Sequence, residues 1–121
     1  MTAHARWYAL ARKLAVESPH PGYTMAAVIV RGGRVVAHAT NGARRGQHAE
    51  RRALRLADAK GATIYVARAD GGCSKPCELC YRAIVESGAA TIVYHDWGQR
   101  LIVEAVNRAH DARTGRDRCD V

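Results

Sequence analysis

Residues 46–60, GQHAERRALRLADAK, carry apolar side chains at helical spacing and run up to Gly61, a residue suited to ending a helix. His48 and Glu50 stand two places apart at the mouth of that helix. In the middle of a helix this spacing would aim the two side chains at nearly opposite faces. In the first turn they can converge on a point lying off the helix end. This reading fixes the order of elements on either side.

Before it, YTMAAVIV (residues 23–30) and RVVAHAT (residues 34–40) are strand-like runs separated by RGG, whose glycines tolerate the positive φ of a tight reversal. A hairpin is expected there. Upstream, HARWYALARKLAVE (residues 4–17) places Trp7, Leu10, Ala11, Leu14 and Ala15 on one helical face, and Pro19 and Pro21 prevent its continuation. Downstream, ATIYVAR (residues 62–68) reads as a buried strand. ADGGCSKPCELCYRAIVESG (residues 69–88) reads as a loop and a helix, with Pro76 at its entry and Gly88 at its end. AATIVYHD (residues 89–96) is a further strand, and GQRLIVEAVNRAHDAR (residues 98–113) is read as a last helix.

The resulting order, α-β-β-α-β-α-β-α, has no internal repeat. Strands separated by helices need crossover connections and pair in parallel, so the expected fold is α/β: a mixed sheet with helices on both faces, a three-layer α-β-α sandwich. Residues 1–112 are expected to form one domain. Residues 113–121 carry too little apolar content to predict order and read as a flexible basic tail.

Composition narrows the class. At 121 residues, with 48% hydrophobic and 25% charged residues, the chain is in the globular range. No run approaches the ~20 apolar residues that span a bilayer, and the N-terminus lacks the order of a signal peptide, so no membrane partner and a cytoplasmic location are expected. Net charge is +8, and residues 31–60 hold eight Lys or Arg against two acidic residues. Such a density of guanidinium groups suits an anionic substrate, or else a solvated basic face.

Of four cysteines, Cys73, Cys77 and Cys80 fall within eight residues. In a cytoplasmic chain such crowding favours a metal over a disulfide. A redox Cys-x-x-Cys is expected after the first strand of its fold, whereas this one comes late. Cys77 and Cys80, three apart at a helix start, can grip one ion, and the positive helix end favours their thiolates. With His48 as a third ligand, two thiolates and a neutral imidazole balance Zn2+ and leave a fourth position for water. A fourth thiolate from Cys73 would instead close the site. Glu50 then reaches the water and acts as general acid and base.

His-x-Glu followed by Pro-Cys-x-x-Cys is the pattern of zinc nucleobase deaminases. HAE at 48–50 and PCELC at 76–80 resemble the cytidine and deoxycytidylate deaminase superfamily, and the likeness extends from the first predicted helix to the last. It implies a cytidine deaminase-like fold, with His48, Cys77 and Cys80 as zinc ligands and Glu50 as the catalytic proton shuttle. It also implies substrate contacts at Asn41, after the second strand, at Ala27 on the first, and at the Ala49 amide and Cys77 carbonyl.

Arg44 and Arg45, in the loop before His48, are candidates for phosphate recognition. The function these residues imply is hydrolytic deamination of a cytosine nucleotide or nucleoside to its uracil form with release of ammonia. Two alternatives stand beside it. One is a deaminase acting on cytosine or adenine in single-stranded DNA or RNA, including the transfer-RNA adenosine type. The other is a zinc module without activity. Members of the superfamily commonly associate, so a homo-oligomer is expected.

Overall fold

The computed structural model describes residues 2–106. Helix α1 (Ala3–Ala15) is followed by β1 (Met25–Arg31), β2 (Arg34–Thr40), α2 (Ala49–Leu54), β3 (Thr63–Arg68), α3 (Glu78–Ser87), β4 (Thr91–His95) and β5 (Leu101–Ala105). The five strands form one sheet in the order β2-β1-β3-β4-β5. Strand β1 is antiparallel to both β2 and β3, β3 is parallel to β4 through the α3 crossover, and β4 is antiparallel to β5.

Alternation along the strands divides the core in two. Ala27 and Ile29 of β1, Ile64 and Val66 of β3, and Ile92 of β4 face Ala49 and Ala53 of α2 and Tyr81 and Ile84 of α3. The residues between them, Val28, Val30, Tyr65, Ala67 and Val93, face Tyr8 and Ala11 of α1. A period of two therefore covers both faces of the sheet with helices, which is the expected α-β-α layering.

Local signals act where expected. Gly32 and Gly33 turn the first hairpin with φ of 62° and 76°, as a two-residue turn between antiparallel strands requires. Thr2 caps α1 by accepting the Ala5 amide at 3.0 Å. Gly88 ends α3 in the left-handed region at φ 81°.

Two expectations are corrected. First, Leu101–Ala105 is a strand, not the start of a helix. Asp96 Oδ1 accepts the amides of Gly98 and Arg100 at 2.9 and 3.0 Å, and Gln99 takes φ 60°. This side-chain turn reverses the chain and sends Leu101 back along β4. Trp97 rides on the turn, 69% exposed, with no final helix to pack against among the described residues. Second, α2 stops at Leu54 instead of continuing toward Gly61. The Leu56 amide bonds back to Ala53, Asp58 accepts the Lys60 amide, and Arg31 takes the Asp58 carbonyl, so residues 55–60 leave the helical path.

Residues 107–113 of the expected last helix and the expected tail lie outside the described residues. Among the described residues no helix is long and apolar enough to cross a membrane.

Ile64, fully buried on the central strand β3, supports the layer that carries both α2 and α3. Ile64→Ala should cost about 2–5 kcal/mol, read as a fall of roughly 1–2 M in the urea midpoint.

Candidate metal and substrate site

Two helices begin at the same place. His48 is the N-cap of α2 and Cys77 the N-cap of α3, both with extended backbone, and neither side chain makes a capping hydrogen bond. Their side chains are thus available to each other. His48 Nδ1 lies 3.3 Å from Cys80 Sγ and 3.8 Å from Cys77 Sγ, and the three donor atoms lie within 4.8 Å of one another. A tetrahedral zinc with sulfur at about 2.3 Å and nitrogen at about 2.0 Å holds such donors ~3.6 Å apart, so the trio has the right size as it stands. The Cys77 carbonyl accepts the Tyr81 amide at 2.8 Å, which anchors the cap to the first turn of α3.

The chemistry of the donors fits as well as their spacing. A hydrogen bond from Cys80 draws the Cys77 thiol far below the ordinary thiol range, with help from His48 and against the effect of burial. The same bond, and then burial, push Cys80 up. Two sulfurs sharing one proton beside an imidazole form a ligand set for a divalent ion that replaces the proton.

Cys73 and His95 are outside the trio. Cys73 is buried, and His95 bonds the Gly71 carbonyl through Nδ1 at 2.9 Å and stacks on Tyr8. His38 is exposed on β2. Among the described residues the metal-sized group is therefore three ligands, as an open site requires.

Glu50 lies in the first turn of α2 and is only 3% exposed. Burial pushes its carboxyl up, while the hydrogen bond to its own backbone amide and the field of His48 oppose the shift. It forms part of the wall of a cavity of about 550 Å³. His48, Ala49 and Cys77 share that wall, while Arg44, Arg45 and Lys75 bring basic groups to it.

The other expected contacts separate into two kinds. Ala49, Arg44, Arg45 and Asn41 reach the cavity, whereas Ala27 is fully buried in the core and Met25, two residues earlier, lines the cavity instead. Asn41 is buried and largely committed to the protein. Its Oδ1 accepts the Met25 amide at 2.8 Å and the Ser18 hydroxyl at 2.5 Å, and its Nδ2 donates to the Tyr23 carbonyl at 3.1 Å. One amide proton remains for a ligand.

His20, Tyr23 and Lys75 are among the lining residues that were not singled out from the sequence. For His20 the only local signal was its place between two prolines, which reads equally well as a helix stop. Lys75 stands directly before Pro76 and was visible only as part of the cysteine loop.

That loop is pinned to the sheet by Ser74. Its hydroxyl donates to the Val66 carbonyl at 2.6 Å and accepts the His95 amide at 3.0 Å, while its own amide bonds the His95 carbonyl at 2.9 Å.

With this geometry in place, the comparisons define the class. The sequence matches the cytidine and deoxycytidylate deaminase zinc-binding region over residues 1–96. The chain belongs to that family, and with it to the zinc-dependent hydrolases that act as deaminases.

Its fold is similar to that of cytidine deaminase from Burkholderia pseudomallei, with 26% identity and a TM-score of 0.68 over 88% of this chain and 94% of that one. It is also similar to RibD of Acinetobacter baumannii, with 27% identity and a TM-score of 0.66 over 77% of this chain. The match spans only 28% of the RibD chain. The dCMP deaminase of cyanophage S-TIM5, with 20% identity and a TM-score of 0.66 over 79% of this chain and 86% of that one, shares the fold. No curated protein sequence matches the chain.

Zinc should shield both sulfurs of the trio. Chelator-treated protein should lose about one zinc per chain and expose Cys77 and Cys80 to alkylating reagents, and His48→Ala should lower the zinc content of freshly purified protein. Elemental analysis and mass spectrometry of alkylated peptides read both effects. Ser74→Ala leaves the His95 amide and Val66 carbonyl without their partner in a buried place. It should cost roughly 1–3 kcal/mol in denaturant unfolding.

Proposed function

We propose that the protein hydrolyses the amino group of a cytosine nucleotide or nucleoside, giving the uracil counterpart and ammonia. The observation that carries this reading is a buried carboxylate, Glu50, on the wall of a cavity that is also lined by His48 and Cys77 of the metal-sized trio and by the basic residues Arg44, Arg45 and Lys75. His48, Cys77 and Cys80 would hold the zinc, which when bound acidifies a water from about 15.7 toward 7. Glu50 is the group that takes a proton from that water and returns it to the leaving nitrogen. Its burial favours the protonated acid and suits the second half of that task.

The Ala49 amide, in the first turn of α2, and the Cys77 carbonyl are the candidates for contact with the edge of the base, since both residues line the cavity. Asn41 offers its remaining amide proton, and Arg44 and Arg45, both exposed, offer charge to a phosphate. The similar structure from Burkholderia pseudomallei, at 26% identity, is named for cytidine, which supports a pyrimidine ring in this cavity.

Zinc-loaded protein incubated with dCMP, CMP, deoxycytidine and cytidine should release ammonia from at least one. Absence of ammonia from all four would remove the proposal. Glu50→Gln should lower kcat by a factor of about 10³ or more while zinc content and folding stay intact. A variant that keeps its turnover would show that the proton passes elsewhere.

A further inference from the structure

Part of the cavity wall, His20 and Tyr23, comes from the segment between α1 and β1, and its polar contacts fix the chemistry of one side chain. His20 Nδ1 accepts two backbone amides, from Gly22 at 2.9 Å and from Tyr23 at 3.0 Å. A nitrogen accepting two N–H groups carries no proton, so the proton of the neutral ring sits on Nε2. The ring is held further by contact with the Tyr23 ring, centroids 4.3 Å apart. The backbone below it is held by Ser18, whose hydroxyl accepts the His20 amide at 3.1 Å and donates to both the carbonyl and the side-chain oxygen of Asn41. Asn41 thus acts largely as the frame on which this segment hangs, and His20 is the polar group that the frame presents to the cavity.

We propose that His20 is a substrate-binding residue whose Nε2–H donates to an oxygen of the sugar, or of the phosphate it carries, in the bound nucleotide. The inference rests on the function proposed above.

Depth assigns the oxygen. Glu50 and Ala49 are buried at the inner end of the cavity, where the amino-bearing edge of the base must lie. His20 is half-buried, and Arg44 and Arg45, which share the cavity, are exposed. A donor at that level meets the part of the substrate that follows the base toward solvent. It also supplies what the arginines do not: a neutral donor held in one direction, against long side chains that follow charge.

Two substitutions separate the ring's two nitrogens. In His20→Asn the side-chain amide replaces Nδ1 and keeps an acceptor for the Gly22 and Tyr23 amides, but nothing reaches the Nε2 position. In His20→Gln the longer amide reaches the Nε2 position and loses the acceptor. Zinc-loaded wild type and both variants are compared by kcat and KM with dCMP and deoxycytidine, alongside thermal unfolding.

His20→Asn should keep its zinc and unfold within about 2 °C of wild type, with KM raised about tenfold and kcat nearly unchanged. His20→Gln should unfold earlier yet keep KM closer to wild type. A rise seen with dCMP and not deoxycytidine places the contact on the phosphate, and a rise with both places it on the sugar. An unchanged KM in His20→Asn, or a KM that rises in step with lost thermal stability in both variants, would overturn the proposal and leave His20 as a brace for its own loop. A wild type inactive on either compound and on their ribose counterparts would fell the parent reading, and this inference with it.

Discussion

The constraint on which the molecule depends is the meeting of two helix beginnings. Each carries partial positive charge from unpaired amides, and two such ends brought together repel unless something negative lies between them. Here the caps themselves, His48 and Cys77, contribute no hydrogen bond to their own helices and turn toward a common point with Cys80. Thiolates answer the field of the helix ends, and a divalent ion answers the thiolates. The parallel pairing of β3 and β4 through the α3 crossover makes this meeting possible, because the loop after β3 enters α3 beside the start of α2.

The same geometry explains how a histidine and a glutamate two residues apart line one cavity. His48 is the last extended residue before α2, and Glu50 lies within its first turn, so the chain changes direction between them. Ala49 between them is fully buried against the sheet, which leaves no freedom to rotate the pair away. Glu50 is therefore dehydrated by the helix packing that also holds His48 in place. The upward push on its carboxyl follows from the fold, without a neighbouring anion as its main cause.

Much of this was legible in the sequence, and what was not has a physical reason. The clustering of the trio could be read because metal binding demands those residue types at a helix start. The first hairpin could be read because only glycine takes φ of 62° and 76° in succession with ease. Leu101–Ala105 was misread because Leu, Ile and Val in sequence satisfy a helical stripe as readily as a buried strand. The deciding feature was Asp96, whose side chain makes the turn, and an Asp before Trp-Gly carries weak weight in isolation. α2 was read too long because residues 55–60 keep some helical spacing, and contacts with Arg31 on β1 draw them off. His20 and Asn41 exchanged emphasis for a similar reason. Which polar side chain faces a cavity and which faces the backbone depends on partners such as Ser18 and Tyr23, far along the chain from Asn41.

The basic excess, taken as a sum, suggested a patch; in the structure it divides by task. Arg51 donates to the Gly46 carbonyl at 3.0 Å and Arg52 to the Thr40 carbonyl at 2.9 Å, so two arginines of α2 tether the two ends of the loop that precedes it. Gly42 takes part in the same folding, bonding the Gln47 carbonyl at 2.8 Å in a space where any β-carbon would collide with the Gln47 side chain. Gln47 in turn accepts the Arg44 amide at 3.1 Å. A loop so fastened holds the backbone of Arg44 and Arg45 in place while their guanidinium groups stay exposed at the cavity. Charge that looks diffuse in composition thus includes two cations that brace the loop, Arg51 and Arg52, and two exposed ones at the cavity, Arg44 and Arg45. Arg44 and Arg45 line the same cavity as Glu50, His48 and Cys77.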